Sequence, residues 1–271
     1  RMDLLVNAAG VEDRAAIDPA SCDGIGLMRA EFLFRDGAPL PDEETQYRAY
    51  RRVLEWAGGK PVTIRTLDIG GDKPISGLTP EGEANPFLGL RGVRLTLARE
   101  EVFRTQLKAL LRAGVHGTLK VMLPMVTVPD EISRSAALLR ACHAELSARG
   151  VPCAIPPLGI MVEVPAVAVA PELFGAAQFF SIGSNDLTQY VTASSRDDAR
   201  VAALNDPSHP AVLRLIAGVV RHGRETGQPV SLCGDMASEP RHLNALLDAG
   251  LTSLSVAPAR LAAIKAAIAE R

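Results

Sequence analysis

Eight short apolar stretches, most of them separated by segments of helical periodicity, constrain this chain more than any other feature. They run Asp3–Ala8, Gly24–Met28, Val62–Leu67, Lys120–Met125, Leu158–Val162, Phe179–Ile182, Val230–Cys233 and Ser253–Val256. Runs this short and this apolar, bounded by glycine or polar residues, read as strands buried on both faces. Between them, Phe103, Leu107, Leu110 and Leu111 recur at helical spacing, as do Val212, Leu215, Ile216 and Val219. Such one-sided faces pack against a sheet. Gly58-Gly59, Gly114, Gly150, Gly227 and Gly250 each follow a helical pattern, where glycine is the favoured terminating residue. Thr127-Val128-Pro129-Asp130 predicts a polar cap and a first-turn proline ahead of the helix carrying Ile132, Ala136 and Leu139.

A chain that alternates strand and helix forms a parallel α/β sheet, and eight units can close it into a (β/α)8, TIM-type barrel. An open doubly wound sheet is the alternative. The 271 residues suit one such barrel, which needs about 250, or two small domains. No linker divides the chain, so one domain over residues 1–271 is expected. In a barrel the chemistry sits at the C-terminal ends of the strands. Arg29, Arg65, Glu163, Asn185, Asp186 and Cys233 all fall there, which favours closure. Two longer excursions, Phe34 to Tyr47 and Asp68 to Arg91, are rich in glycine, proline and charge and decorate the same mouth.

The net charge of −2 gives no reason to expect nucleic acid or an anionic membrane as partner. No apolar run approaches the ~20 residues of a membrane span, and no export signal is visible, so a cytoplasmic address is expected. Cys22, Cys142, Cys153 and Cys233 are scattered without a CxxC pair, which disfavours a zinc site or a disulfide framework.

Arg29, Arg65, Lys73, Arg91 and Arg196 lie at strand ends or in loops, where guanidinium forks match phosphate and carboxylate. Any one of them alone is explained by a solvated or structural ion pair. Together they suit a small anion carrying both groups. Glu163 and Asp186 end consecutive predicted strands, and two hard-oxygen ligands with positions left for water suit Mg²⁺ or Mn²⁺. Neutralising the arginines is their other use. Asn185 can donate to a phosphoryl or carboxylate oxygen. Cys233, in a turn of small residues, can give or take a proton at carbon, although a buried inert thiol is the commoner fate. His209 is expected to order the loop before a helix. Gly70-Gly71-Asp72-Lys73-Pro74 fits neither a Walker A pattern nor GxGxxG, so nucleotide binding is not supported.

These segments also carry a resemblance. Gly24-Ile25-Gly26-Leu27-Met28-Arg29-Ala30-Glu31-Phe32-Leu33-Phe34, Thr63 to Pro74 (TIRTLDIGGDKP), Asn85-Pro86-Phe87-Leu88-Gly89-Leu90-Arg91, Gly159 to Glu163, Ser184-Asn185-Asp186-Leu187-Thr188-Gln189-Tyr190 and Cys233-Gly234 together resemble the C-terminal half of enzyme I of the bacterial sugar phosphotransferase system. The resemblance covers the whole chain in order. It implies a phosphoenolpyruvate/pyruvate-binding barrel that dimerises and passes the phosphoryl group to a histidine on a separate N-terminal domain, and from there to the carrier HPr. By the same resemblance Glu163 and Asp186 hold Mg²⁺. Arg29, Arg65, Lys73, Asn185 and Arg196 surround the substrate with Arg91 close by, and Cys233 protonates the enolate carbon as pyruvate forms.

The family usually has threonine where Ala30 stands and glutamate where Asp235 stands. The phosphohistidine and HPr-binding domains have no counterpart in this sequence, so an excised domain or the tail of a longer protein is expected. A pyruvate phosphate dikinase or phosphoenolpyruvate synthase relative is the second reading. A non-catalytic phosphoenolpyruvate-sensing or dimerisation module is the third, and Cys233 argues against it.

Overall fold

The computed structural model describes residues 2–8, 18–71 and 74–270. Eight strands pair in parallel and in chain order: β1 (Asp3–Ala8), β2 (Ile25–Arg29), β3 (Val62–Arg65), β4 (Leu119–Leu123), β5 (Leu158–Val162), β6 (Phe180–Ile182), β7 (Val230–Leu232) and β8 (Ser253–Val256). β8 returns to β1 with Leu4 opposite Leu254 and Val6 opposite Val256. Closure leaves no strand with an unpaired edge, and the expected barrel is therefore the observed one.

Around it pack α1 (Glu43–Ala57), α2 (Val93–Ala98), α3 (Glu100–Ala113), α4 (Pro129–Ala148), α5 (Pro165–Val169), α6 (Ser184–Thr192), α7 (Pro210–Thr226), α8 (Pro240–Asp248) and α9 (Leu261–Ala269). Successive strand residues face opposite ways, which splits the apolar material in two. Val121, Leu123, Ile160 and Val162 join the helices in the main core, together with Phe103, Leu107, Leu110 and Leu111 of α3. Leu27, Met122, Met161, Phe179 and Cys233 form a separate cluster inside the barrel. Space there is tight, for a Cβ on Gly159 would lie 2.5 Å from the Phe179 ring. On α7 the expected face is buried at Val212, Ile216 and Val219, whereas Leu215 stays partly exposed.

Several boundaries differ from the expected ones. β3 stops at Arg65, because the Leu67 amide donates to the side chain of Gln106 on α3 (2.9 Å) instead of a neighbouring strand. Gln106 in turn donates to Tyr50, whose hydroxyl donates to Gln46, a buried polar chain that ties α1 and α3 to the tip of β3. β4 stops at Leu123, short of Met125, whose φ of +58° leaves the extended region. The helix α1 starts at Glu43 under an Asp42 cap, inside the excursion expected to reach Tyr47.

The cap expected from Thr127 is instead made by Glu131, whose carboxylate accepts from the amides of Thr127 (2.6 Å) and Val128 (3.0 Å). Gly114 keeps right-handed geometry (φ −59°) and continues into a 3-10 turn, so it is not the left-handed stop that Gly58 and Gly227 provide. His209 does order its loop: its Nδ1 accepts from the Ala211 amide at the start of α7 (3.1 Å).

Candidate active site at the barrel mouth

The register sets the site. Arg29 and Arg65 are direct neighbours at the ends of β2 and β3. Val162 pairs with Ile182 and Ile182 with Leu232, so Glu163, Gly183 and Cys233 emerge at adjoining strand tips. These residues line one cleft together with Asp68, Arg91, Asn185, Asp186 and Arg196. Asp186 is one correction in detail: it sits in the first turn of α6, after Gly183, and not on the strand end itself. Lys73 lies outside the described residues.

Buried charge at the mouth alternates in sign. Arg65, 5% exposed, places Nη1 2.9 Å from Asp68 Oδ2 and Nη2 3.3 Å from Glu31 Oε1. Asp68 also meets Arg91, at 3.0 Å from Nη2 and 3.3 Å from Nε. Arg91 continues to Asp186 Oδ2 (3.4 Å) and donates to the Tyr190 hydroxyl (3.2 Å), which itself donates to the Phe87 carbonyl (2.5 Å). Beyond Asp186, Arg196 Nη1 stands 3.9 Å from Oδ1. Burial alone would lower the Arg65 guanidinium, but the pull of Glu31, Asp68, Glu163 and Asp186 outweighs it and holds the charge. Arg29 is exposed at the rim.

Glu163 is 1% exposed, and its Oε1 accepts from the Met125 amide at 2.7 Å. That amide is aimed by the left-handed turn at Met125, a conformation that a non-glycine residue adopts at some cost in strain. Gly92 makes the turn possible, since a Cβ there would come within 2.8 Å of the Met125 side chain. Burial, then the negative charges of Asp186 and Asp68, push the Glu163 carboxyl up to about 8.

A cation would relieve that repulsion, and the donor chemistry fits one. Asp186 Oδ1 is buried without a hydrogen-bond partner among the described residues, next to a second hard-oxygen carboxylate. Among the described residues no group of three or more His, Cys, Asp or Glu forms a metal cage. Two carboxylates with coordination positions left for water and substrate oxygen are the usual protein contribution to Mg²⁺.

Cys233 is 3% exposed, with Sγ 3.6 Å from the Ile182 carbonyl. Burial pushes its thiol up to about 11, so at neutral pH it carries its proton. Asn185 is half-buried and paired with Asp235 across the cleft rim. Sequence reasoning missed Asp68, Glu31 and Tyr190 as members of the site. A signal was present for the first two, since each acid follows a strand-end arginine by two or three residues.

Residues 1–271 match the family model described as "PEP-utilising enzyme, PEP-binding domain". The chain belongs to this family. Among curated proteins, members similar to it include the phosphoenolpyruvate-protein phosphotransferase of Geobacillus stearothermophilus, 44% identical over 266 residues, covering 96% of this chain and 46% of the relative. The protein of the same name from Cupriavidus necator is 43% identical over 271 residues, covering 97% and 46%. This PEP-binding domain thus spans about half the length of the curated relatives it matches. Two solved structures share the fold at low identity. A malate synthase of Haloferax volcanii has a TM-score of 0.58 at 12% identity, covering 98% of this chain and 74% of that one. A citrate lyase of Burkholderia xenovorans has 0.57 at 17%, covering 100% and 78%.

Proposed function

We propose that this domain binds phosphoenolpyruvate with Mg²⁺ at the barrel mouth and gives up the phosphoryl group to a histidine on a separate N-terminal domain, releasing pyruvate. The observation that carries this reading is the convergence of four arginines, three buried acidic side chains (Asp68, Glu163 and Asp186) and one protonated thiol on a single cleft. Arg29, Arg65, Arg91 and Arg196, with Lys73 as the remaining family position, neutralise and orient the phosphate and carboxylate. Phosphoryl transfer depends on such positioning and charge stabilisation. Held by Glu163 and Asp186, Mg²⁺ would add positive charge at the phosphoryl and enolate oxygens.

As the ester P–O bond breaks, the phosphoryl group passes to the histidine nitrogen and the electron pair stays on the enolate oxygen. Cys233 then gives its proton to the terminal carbon, pyruvate forms, and the thiolate is reprotonated from solvent. The same reading makes the protein a cytoplasmic homodimer that feeds HPr in a sugar-uptake relay.

Calorimetric titration with phosphoenolpyruvate, with and without Mg²⁺, tests it. Metal-dependent binding is expected, and Glu163→Ala should weaken it by about a hundredfold or more. Cys233→Ala should still bind but form no pyruvate when the phosphohistidine domain is supplied. A folded wild-type chain that binds nothing would sink the reading.

A further inference from the structure

Asn185 and Asp235 hold each other by two hydrogen bonds that run in opposite senses. Asn185 Nδ2 donates to Asp235 Oδ2 (2.9 Å), and the Asp235 backbone amide donates to Asn185 Oδ1 (2.9 Å). A carboxylate accepts and an amide N–H donates, so only one orientation of the Asn185 carboxamide satisfies both. The ring forms because the chain at Gly234 lies directly against the start of α6: a Cβ on Gly234 would run into Ser184 Oγ. The tip of β7, which carries Cys233, is thereby joined to the first turn of α6, which carries Asp186.

With Oδ1 turned to the Asp235 amide and one hydrogen of Nδ2 committed, the second Nδ2 hydrogen is the donor that Asn185 has left for an anionic ligand. Nδ2 makes no other hydrogen bond among the described residues. Unrestrained, the same carboxamide would present oxygen to the cleft in its flipped state and repel an anion there.

We propose that Asp235 is a positioning residue that holds the Asn185 carboxamide with its nitrogen toward the cleft, making Asn185 purely an N–H donor to an anionic oxygen of the ligand. The inference rests on the phosphoenolpyruvate-binding reading. It gives a task to the Asp235 position of the Cys-Gly-Asp turn, which supplies both the carboxylate and the backbone amide that close the ring.

The test is a double-mutant cycle on the full chain, measuring phosphoenolpyruvate affinity in Mg²⁺ by calorimetry and the unfolding midpoint by heating. Asp235→Ala should weaken binding about fivefold and Asn185→Ala about tenfold, with the double variant no weaker than Asn185→Ala. Asp235→Asn keeps an acceptor for Nδ2 and the backbone donor, and should restore affinity to within about twofold of wild type. The unfolding midpoint of Asp235→Ala should stay put, because Asp235 is exposed. Wild-type affinity in Asp235→Ala, or losses that add in the double variant, would overturn this inference alone. A wild-type chain that does not bind phosphoenolpyruvate would overturn the function and this inference together.

Discussion

The two ends of the barrel are built from the same eight strands and treated in opposite ways. At the N-terminal end, the Phe179 ring fills the space that Gly159 leaves open, and Lys120 lies 5.5 Å from the ring centroid. At the mouth, Glu31, Arg65, Asp68, Arg91 and Asp186 are drawn into a low-exposure network, and among the described residues Arg65 Nε, Glu31 Oε2 and Asp186 Oδ1 are left without hydrogen-bond partners. Buried polar atoms are normally paired, because each unpaired one costs about 1–3 kcal/mol. The N-terminal end seats an apolar ring in the barrel, whereas the mouth gives up stability to keep polar atoms ready for a ligand.

Removing the central cation should break this contrast most visibly. Arg65→Met strips Glu31 and Asp68 of a shared partner, and should lose about 3–5 kcal/mol in urea unfolding along with phosphoenolpyruvate binding. An unchanged urea midpoint would mean that the network is not what organises the mouth.

The Glu163 carboxyl gives the next largest effect. It holds its proton more tightly folded than unfolded, so its contribution to stability is complete below about pH 4.5 and is lost as pH rises toward about 8. In metal-free buffer, stability should fall across that window by up to about 1.4 kcal/mol per pH unit. Glu163→Gln should flatten the slope. A slope that survives the substitution would move the titration to another group.

The smallest effect sharpens the comparison from the other end. Gly159→Ala forces the Phe179 ring aside and should cost about 1–3 kcal/mol of stability while leaving phosphoenolpyruvate affinity within about twofold. A binding defect in this variant would show that the two ends are not independent.

Much of this could be read from the sequence, and the failures have local causes. β1, β5 and β8 begin and end where their apolar runs do. β3 and β4 end early because a side chain from α3 and a left-handed residue intervene, and neither event leaves a mark in hydrophobic periodicity. Arg65, Glu163 and Cys233 were legible because a strand tip is a fixed address in a barrel. The partnership of Asp68 with Arg91, and the tether from Tyr190 to the Phe87 carbonyl, join residues distant in sequence, so they become visible only once the barrel has closed. The reciprocal bond between Asn185 and Asp235 belongs to the same class.

The alternation of charge at the mouth has a consequence for selectivity. Arg65 and Arg91 already hold carboxylates, so an anion that passes the exposed Arg29 at the rim must compete with Asp68 and Asp186 for them. The cleft therefore works as an ion exchanger. A singly charged solute such as chloride or acetate is expected to compete poorly with the resident carboxylates, whereas an anion presenting several oxygens at once can engage both arginines together.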